Sequence, residues 1–469
     1  MTFADTALAV IELARRGDFT GISDRFLPQL RPLAPPQTLR AAWDAEVAKN
    51  GQVSALGTPL TEAAGPGAVV VKVPVTFERA TAILAVGLAG EEGEEGGQAE
   101  EGGEDQGPWI TGIQLLPASA AAPTAPWAPP AYADPDAFTE HDVTVGDGPL
   151  AVPGTLSVPR RAGQAPVPGV VLLTGSGPND QDETIGRNKP VKDLAWGLAT
   201  AGVAVLRFEK VTRAHPDLVA GNPRFTLTDE YVPHAVAAIG LLRDHPAVHP
   251  ARVFVAGHSE GGTAAPRVAA RAPVAGLVIL AGGAQPLHHA MVRQFRYLAS
   301  LASAQGAAPP ANLDAITRQA AAVDDPALSE STPDSDLPFG VPAAYWLDLR
   351  GYDPPAAAAA LGKPLLIVQG GRDYQATVAD DLSRWQAALD GRPDVTIRVY
   401  PADNHLFFPG EGPSSPAEYE PAQHVDPAVV AGTAARLLLD EAAGDGAHQH
   451  RQVIFEPELV VRQSTHPAS

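Results

Sequence analysis

Cysteine is absent from this chain of 469 residues. That removes disulfides, thiolate nucleophiles and cysteine-based metal sites together, and leaves either redox environment open. Basic residues are also scarce. The 33 Lys and Arg stand against 54 Asp and Glu, a formal net charge of −21, so a polyanion is repelled and nucleic acid is excluded as an expected partner. No unbroken apolar run is long enough for a membrane span. The stretch from Met1 to Glu12 lacks a basic start and reads as an amphipathic helix, not a signal peptide, so a cytoplasmic location is expected. With 45% hydrophobic and 19% charged residues, the chain can fill a sizeable core.

The acidic excess is partly local. Glu91, Glu92, Glu94, Glu95, Glu100, Glu101, Glu104 and Asp105 crowd into residues 90–107 with almost nothing that can pack, which reads as a solvated, disordered loop. Around it, residues 1–117 form a small α+β module. Helical patterns run over Thr6–Arg16 and Pro36–Asn50, and strands over Val69–Phe77, Ala82–Leu88 and Trp109–Leu116. Trp43 or Trp109 is expected to supply part of its core. Residues 118–137 are a Pro/Ala-rich connector, extended because proline removes donors and disfavours helix before it.

From 138 to 445 the rhythm changes to alternating strands and helices. A hairpin (Asp142–Val145, Gly154–Val158) precedes short Val/Ile/Leu runs at Gly169–Thr174, Val203–Phe208, Val253–Ala256, Gly276–Leu280, Pro364–Val368 and Val395–Val399. Helices are expected at Val191–Ala201, Asp229–Arg243, Gly262–Arg271, Val378–Leu389 and Pro427–Glu441. Continuous apolar strands separated by helices predict an α/β fold, a mostly parallel sheet covered on both faces. Residues 288–362, Ala- and Pro-rich with Tyr297, Phe339, Tyr345 and Trp346, interrupt the series as a helical insertion expected to act as a lid. Residues 446–469 read as a tail, with one edge strand at Val453–Val461.

The sharpest local signal is Gly257-His258-Ser259-Glu260-Gly261, between a buried strand and a small-residue helix. A serine on such a strand-to-helix turn is exposed, its neighbours must be glycine for close chain approach, and the helix N-terminus favours developing negative charge. Ser259 is therefore the candidate nucleophile. It needs a base, and the base needs an orienting acid. On this scaffold the chain order is serine, acid, histidine. Asp373 lies just past the strand Pro364–Val368, and His405 is the first histidine after Val395–Val399; His424 is its rival. Asp380 and Asp381 are expected to be solvated charges on an exposed helix. An oxyanion hole would take one N–H from Glu260 and a second from Ser176 or Gly177, in the turn Thr174-Gly175-Ser176-Gly177-Pro178. Asp180, Asp182, Glu183 and Lys189 beyond it are expected to form local ion pairs or a pocket rim. No metal site is expected, because the adjacent His288 and His289 do not share a helix face.

The segments Gly175–Pro190, Lys192–Ala199, Gly257–Gly261, Tyr345–Asp353 and Arg372–Gln375 resemble a group of bacterial α/β-hydrolase carboxylesterases, over roughly residues 138–445. The resemblance implies a triad at Ser259, Asp373 and His405, hydrolysis of small-molecule carboxylic esters and no cofactor. The module ahead resembles small domains that precede such hydrolases. Two other readings stand beside this one. The same machinery could cleave a peptide or thioester, or the chain could be a binding protein with a vestigial hydrolase attached. Composition leaves the monomer or homo-oligomer question open.

Overall fold

A computed structural model describes residues 2–27, 30–31, 34–65, 68–90, 108–117, 127–160, 165–304 and 312–438. Most of the acidic loop, the first part of the connector and the C-terminal tail with its expected edge strand lie outside the described residues.

Among the described residues, the first 117 hold the helices α1 (Phe3–Arg16), α2 (Phe19–Ser23) and α3 (Pro36–Asn50) and the strands β1 (Val53–Leu56), β2 (Leu60–Gly65), β3 (Ala68–Phe77), β4 (Thr81–Ala89) and β5 (Trp109–Pro117). The sheet runs β1-β3-β4-β5 with β2 also on β3, all antiparallel. α1 starts where Thr2 and Asp5 close a capping box, which satisfies two orphan N–H groups. Its Ala7, Val10, Ile11 and Ala14 pack on alternate residues of β3. β1 and β2 carry no apolar alternation and escape a pattern-based reading. Trp43 is half-buried at the edge of this core. Trp109 is half-buried too but lies outside that cluster, its ring covered by the Arg31 guanidinium.

The remaining described residues are built on an eight-stranded sheet. Its elements are β6 (Phe138–Val145), β7 (Val152–Pro159), β8 (Val167–Leu173), α4 (Pro190–Ala201), β9 (Ala204–Phe208), α5 (Val211–Ala214), α6 (Pro216–Ala220), α7 (Leu227–Asp244), β10 (Val248–His258), α8 (Glu260–Ala269) and β11 (Leu277–Leu280). Four helices follow, α9 (Leu287–Ala304), α10 (Leu313–Asp324), α11 (Ala343–Arg350) and α12 (Pro354–Leu361). Then come β12 (Leu365–Gly370), α13 (Ser383–Leu389), β13 (Val395–Tyr400) and α14 (Pro427–Leu438). The order is β13-β12-β11-β10-β8-β9-β7-β6, and β7 alone runs against the rest.

Side-chain alternation explains the layers. Val171, Val255, Ile279 and Ile367 face α7, α8 and α13, whereas Val170, Phe254, Val278 and Leu366 face α4 and α14. Each apolar run is buried on both sides, which is why it reads as continuous. The helices α9 to α11 have a small core of their own around Met291, Ile316, Val323 and Trp346. Parallel pairing brings the carboxyl ends of β8, β10 and β11 level, with Gly257 opposite Leu173 and His258 opposite Leu280. The loops leaving that edge meet above it, the usual place for a site in an open α/β sheet.

One expected helix differs. Val378–Leu382 is a single π turn leading into α13, and Asp381, read as solvated from the sequence, has a fully buried side chain. It accepts from the N–H groups of Ala284, Gln285 and Thr377 and from Arg293. A carboxylate so placed replaces water with four donors, which apolar periodicity cannot reveal.

Candidate active site

Ser259 sits where β10 becomes α8, with φ 53° and ψ −119°, a costly conformation for a residue with a Cβ. The turn is tight enough to dictate its neighbours. A Cβ on Gly257 would lie 2.2 Å from the Gly261 carbonyl oxygen, and one on Gly261 would lie 2.6 Å from those of Leu173 and Thr174. The Ser259 N–H is spent on the Leu280 carbonyl at 2.8 Å, which pins the turn to β11.

The loops after β12 and β13 bring Asp373 and His405 to it. His405 Nε2 is 3.0 Å from Ser259 Oγ, and His405 Nδ1 is 2.7 Å from Asp373 Oδ2. An ionised carboxylate only accepts, so Nδ1 carries the hydrogen and Nε2 presents its lone pair to the hydroxyl. Asp373 is held in turn. Its Oδ1 accepts from the N–H groups of Gln375 and Ala376, and its Oδ2 also accepts from Gln369 Nε2. His424 stands elsewhere, with Nδ1 against the Asp193 carboxylate.

Glu260, Ser176 and Gly177 line the cavity beside Ser259. Gly175 is removed as an oxyanion donor because its N–H goes to Glu183 Oε1. Sequence reasoning missed the support beneath this turn. The Lys210 ammonium donates to the Gly175 carbonyl and to the Tyr231 hydroxyl, which itself lies 3.0 and 2.9 Å from the carbonyls of Thr174 and Gly175. Lys210 also pairs with Glu230 at 2.6 Å, and the Tyr345 hydroxyl of α11 bridges Glu230 and Glu260. Burial first, and the neighbouring Glu230 carboxylate second, raise the Glu260 pKa above the usual carboxylate range. Nothing in the sequence marks Lys210 or Tyr231; they are recognisable only by what folding sets beside them.

The cavity measures about 600 Å³. Ser259 and His405 line it, and Leu287 together with residues of the helical insertion, among them Met291, Phe295, Tyr345, Trp346 and Leu349, forms much of its wall. Past the Thr174–Pro178 turn, Asp182 pairs with Lys189 and Arg207, the local pairing expected of it. His288 and His289 do converge, against the expectation from their adjacency. Their Nε2 atoms bind the two oxygens of Asp324 at 2.9 and 2.8 Å, clamping α9 to α10. The three donors lie within 4.8 Å of one another, a set able to hold a divalent cation.

This sheet order, with a strand–serine–helix turn at the end of its fifth strand, is the α/β-hydrolase arrangement. No family model matches the chain. Over 302 residues it is 39% identical to Esterase EstD of Thermotoga maritima, a match that covers 64% of this chain and 68% of that protein. The chain belongs to the family of that esterase. Solved structures similar to it include an esterase of Pyrococcus furiosus (TM-score 0.38, 17% identity, 57% of this chain and 84% of that one). Another is a dienelactone hydrolase of Anabaena variabilis (TM-score 0.37, 19% identity, 64% and 96%). Among the described residues no helix is long and apolar enough to cross a membrane.

Proposed function

We propose that the chain hydrolyses small-molecule carboxylic esters through an acyl-enzyme on Ser259. The observation that carries this reading is the continuous relay from Asp373 through His405 to the Ser259 hydroxyl, opening into a largely apolar cavity. His405 Nε2 takes the hydroxyl proton as Oγ adds to the ester carbonyl. Asp373 keeps the imidazole in the required tautomer and stabilises the imidazolium that forms. Negative charge moves to the carbonyl oxygen, where the N–H of Glu260 and that of Ser176 or Gly177 receive it. The C–O bond to the alcohol breaks as His405 returns the proton to it. Water, deprotonated by the same imidazole, then clears the acyl group and regenerates Ser259.

The insertion 288–362 acts as the lid that shapes the pocket, and residues 1–117 are an accessory module. The pocket wall suits an acyl or alcohol group of moderate size and low polarity. The test is turnover of p-nitrophenyl esters of graded chain length by wild type and Ser259→Ala, with fluorophosphonate labelling of the serine. Turnover that vanishes in Ser259→Ala supports the esterase. A folded wild type that is labelled yet cleaves no ester points to peptide or thioester substrates, and one that is not labelled points to a binding protein.

A further inference from the structure

His258, inside the serine turn, is nearly as buried as the sheet around it, with 5% of its side chain exposed. Its ring lies between two loops. Nδ1 is 2.8 Å from Glu183 Oε1, and Nε2 is 2.9 Å from the backbone carbonyl oxygen of His405. The two imidazoles lie 4.9 Å apart, centroid to centroid. Glu183 is itself buried and is held at φ 52°, in the left-handed region, a strained backbone for a glutamate that its surroundings must over-determine. The same Oε1 accepts from the Gly175 N–H, and Oε2 is buried without a hydrogen-bond partner. Space around this junction is exhausted. A Cβ on Gly175 would lie 2.8 Å from Glu183 Oε1 and 3.1 Å from Ser259 Cβ.

We propose that Glu183 and His258 form a second acid–histidine pair, stacked behind the first, that positions His405 and the Gly175 turn during catalysis. The proposal rests on the reading of Ser259, Asp373 and His405 as the triad and assigns the pair a positioning role, since neither residue touches the reacting atoms. Both partners of the His258 ring, a carboxylate and a carbonyl, are acceptors only. Both ring nitrogens must therefore carry hydrogen, which makes His258 an imidazolium. Burial opposes that charge, but the Glu183 carboxylate, its hydrogen bond and the His405 carbonyl outweigh it and raise the pKa above the ordinary histidine range. A neutral ring has one N–H and must release one of its two loops. Among the described residues, the ionisable groups facing His258 are Glu183, His405 and Asp373, while Phe407 packs against the ring. At rest, two carboxylates face one imidazolium. When His405 takes the serine proton, two face two, so Glu183 leaves the charge of Asp373 free for His405.

The test is steady-state kinetics across pH on the full chain with a chromogenic ester. Ser259→Ala and fluorophosphonate labelling come first. Turnover retained by Ser259→Ala would overturn the triad, and the pair with it. Given a serine-dependent activity, Glu183→Gln should lower kcat on the order of 10- to 100-fold, the scale of a small misplacement of a catalytic group. KM should stay within about twofold, because ground-state binding is untouched. The basic limb of kcat should move to lower pH as His258 loses its anionic partner, and Glu183→Asp should restore part of kcat and the limb together. Wild-type kinetics in Glu183→Gln, or a loss of kcat with no movement of the limb, would refute the pair while leaving the triad intact. The ¹⁵N spectrum of histidine-labelled wild type reads the same point without relying on that variant. Above the usual histidine pKa range, one imidazole should keep both nitrogens protonated, and its signal should vanish in His258→Gln. Absence of such a ring in wild type would overturn the proposal.

Discussion

Asp381 offers the most decisive test of how the insertion is anchored. Its side chain is fully buried, and four donors converge on it. The N–H groups of Ala284 and Gln285 reach Oδ1 at 2.9 and 3.0 Å; the Thr377 N–H and the Arg293 guanidinium reach Oδ2 at 2.9 and 2.8 Å. One carboxylate thereby joins the loop after β11, the turn after β12 and α9, which carries Leu287 and Met291 over the cavity. Asp381→Ala strands three N–H groups and leaves Arg293 with Asp380 as its remaining carboxylate at 3.2 Å. Losing one member of a buried, hydrogen-bonded ion pair costs about 3–5 kcal/mol. At roughly 2–4 °C per kcal/mol for a domain of this size, Tm should fall by about 10 °C. Asp380→Ala is the internal control. With 42% of its side chain exposed, it should cost less than about 1 kcal/mol. Urea denaturation followed by fluorescence of the buried Trp346 and Trp385 reads both variants. If Asp381→Ala lies within about 0.5 kcal/mol of wild type, as an exposed charge would, the anchoring role is refuted.

Asp373→Asn should lower kcat by roughly 10⁴-fold with little change in KM. The N–H groups of Gln375 and Ala376 fix an oxygen at Oδ1, so the amide NH₂ must face His405 Nδ1 and force the hydrogen onto Nε2; a loss under tenfold in steady-state kinetics would contradict that orientation. A pH effect should arise at Asp403, whose carboxyl is pushed up to about 7 by burial first and by Asp426 second. A carboxyl raised on folding binds more protons folded than unfolded, so stability is full below the ordinary carboxylate range and falls as pH rises to about 7. Asp403→Asn should flatten that decline in urea midpoints measured between about pH 4 and pH 8, and an unchanged slope would contradict it.

Much of the catalytic half was legible because its strands are buried on both faces. A run such as Leu365–Gly370 must then be apolar at successive positions, and each such run announces itself. β1 and β2 at the rim of the small sheet, without that demand, left no pattern. The candidate site divides the same way. Ser259 was readable because its turn requires Gly257 and Gly261 for steric room, a constraint written into neighbouring residues. Asp373 and His405 followed from strand order, since parallel pairing delivers every loop to one edge.

What the sequence by itself determined was the alternation of strands and helices, the identity of the serine turn and the order in which its partners follow. All three are local or ordinal properties, set by steric and burial demands on adjacent residues. Tertiary structure alone decided which charges are buried. Asp381, Glu183, Lys210 and Glu260 are ordinary polar letters in the chain, and their roles come from donors and acceptors supplied tens of residues away. Hydrogen bonding and ion pairing depend on distance in space, which hydrophobic period does not encode. Folding made Asp381 an anchor and placed Glu183 against His258.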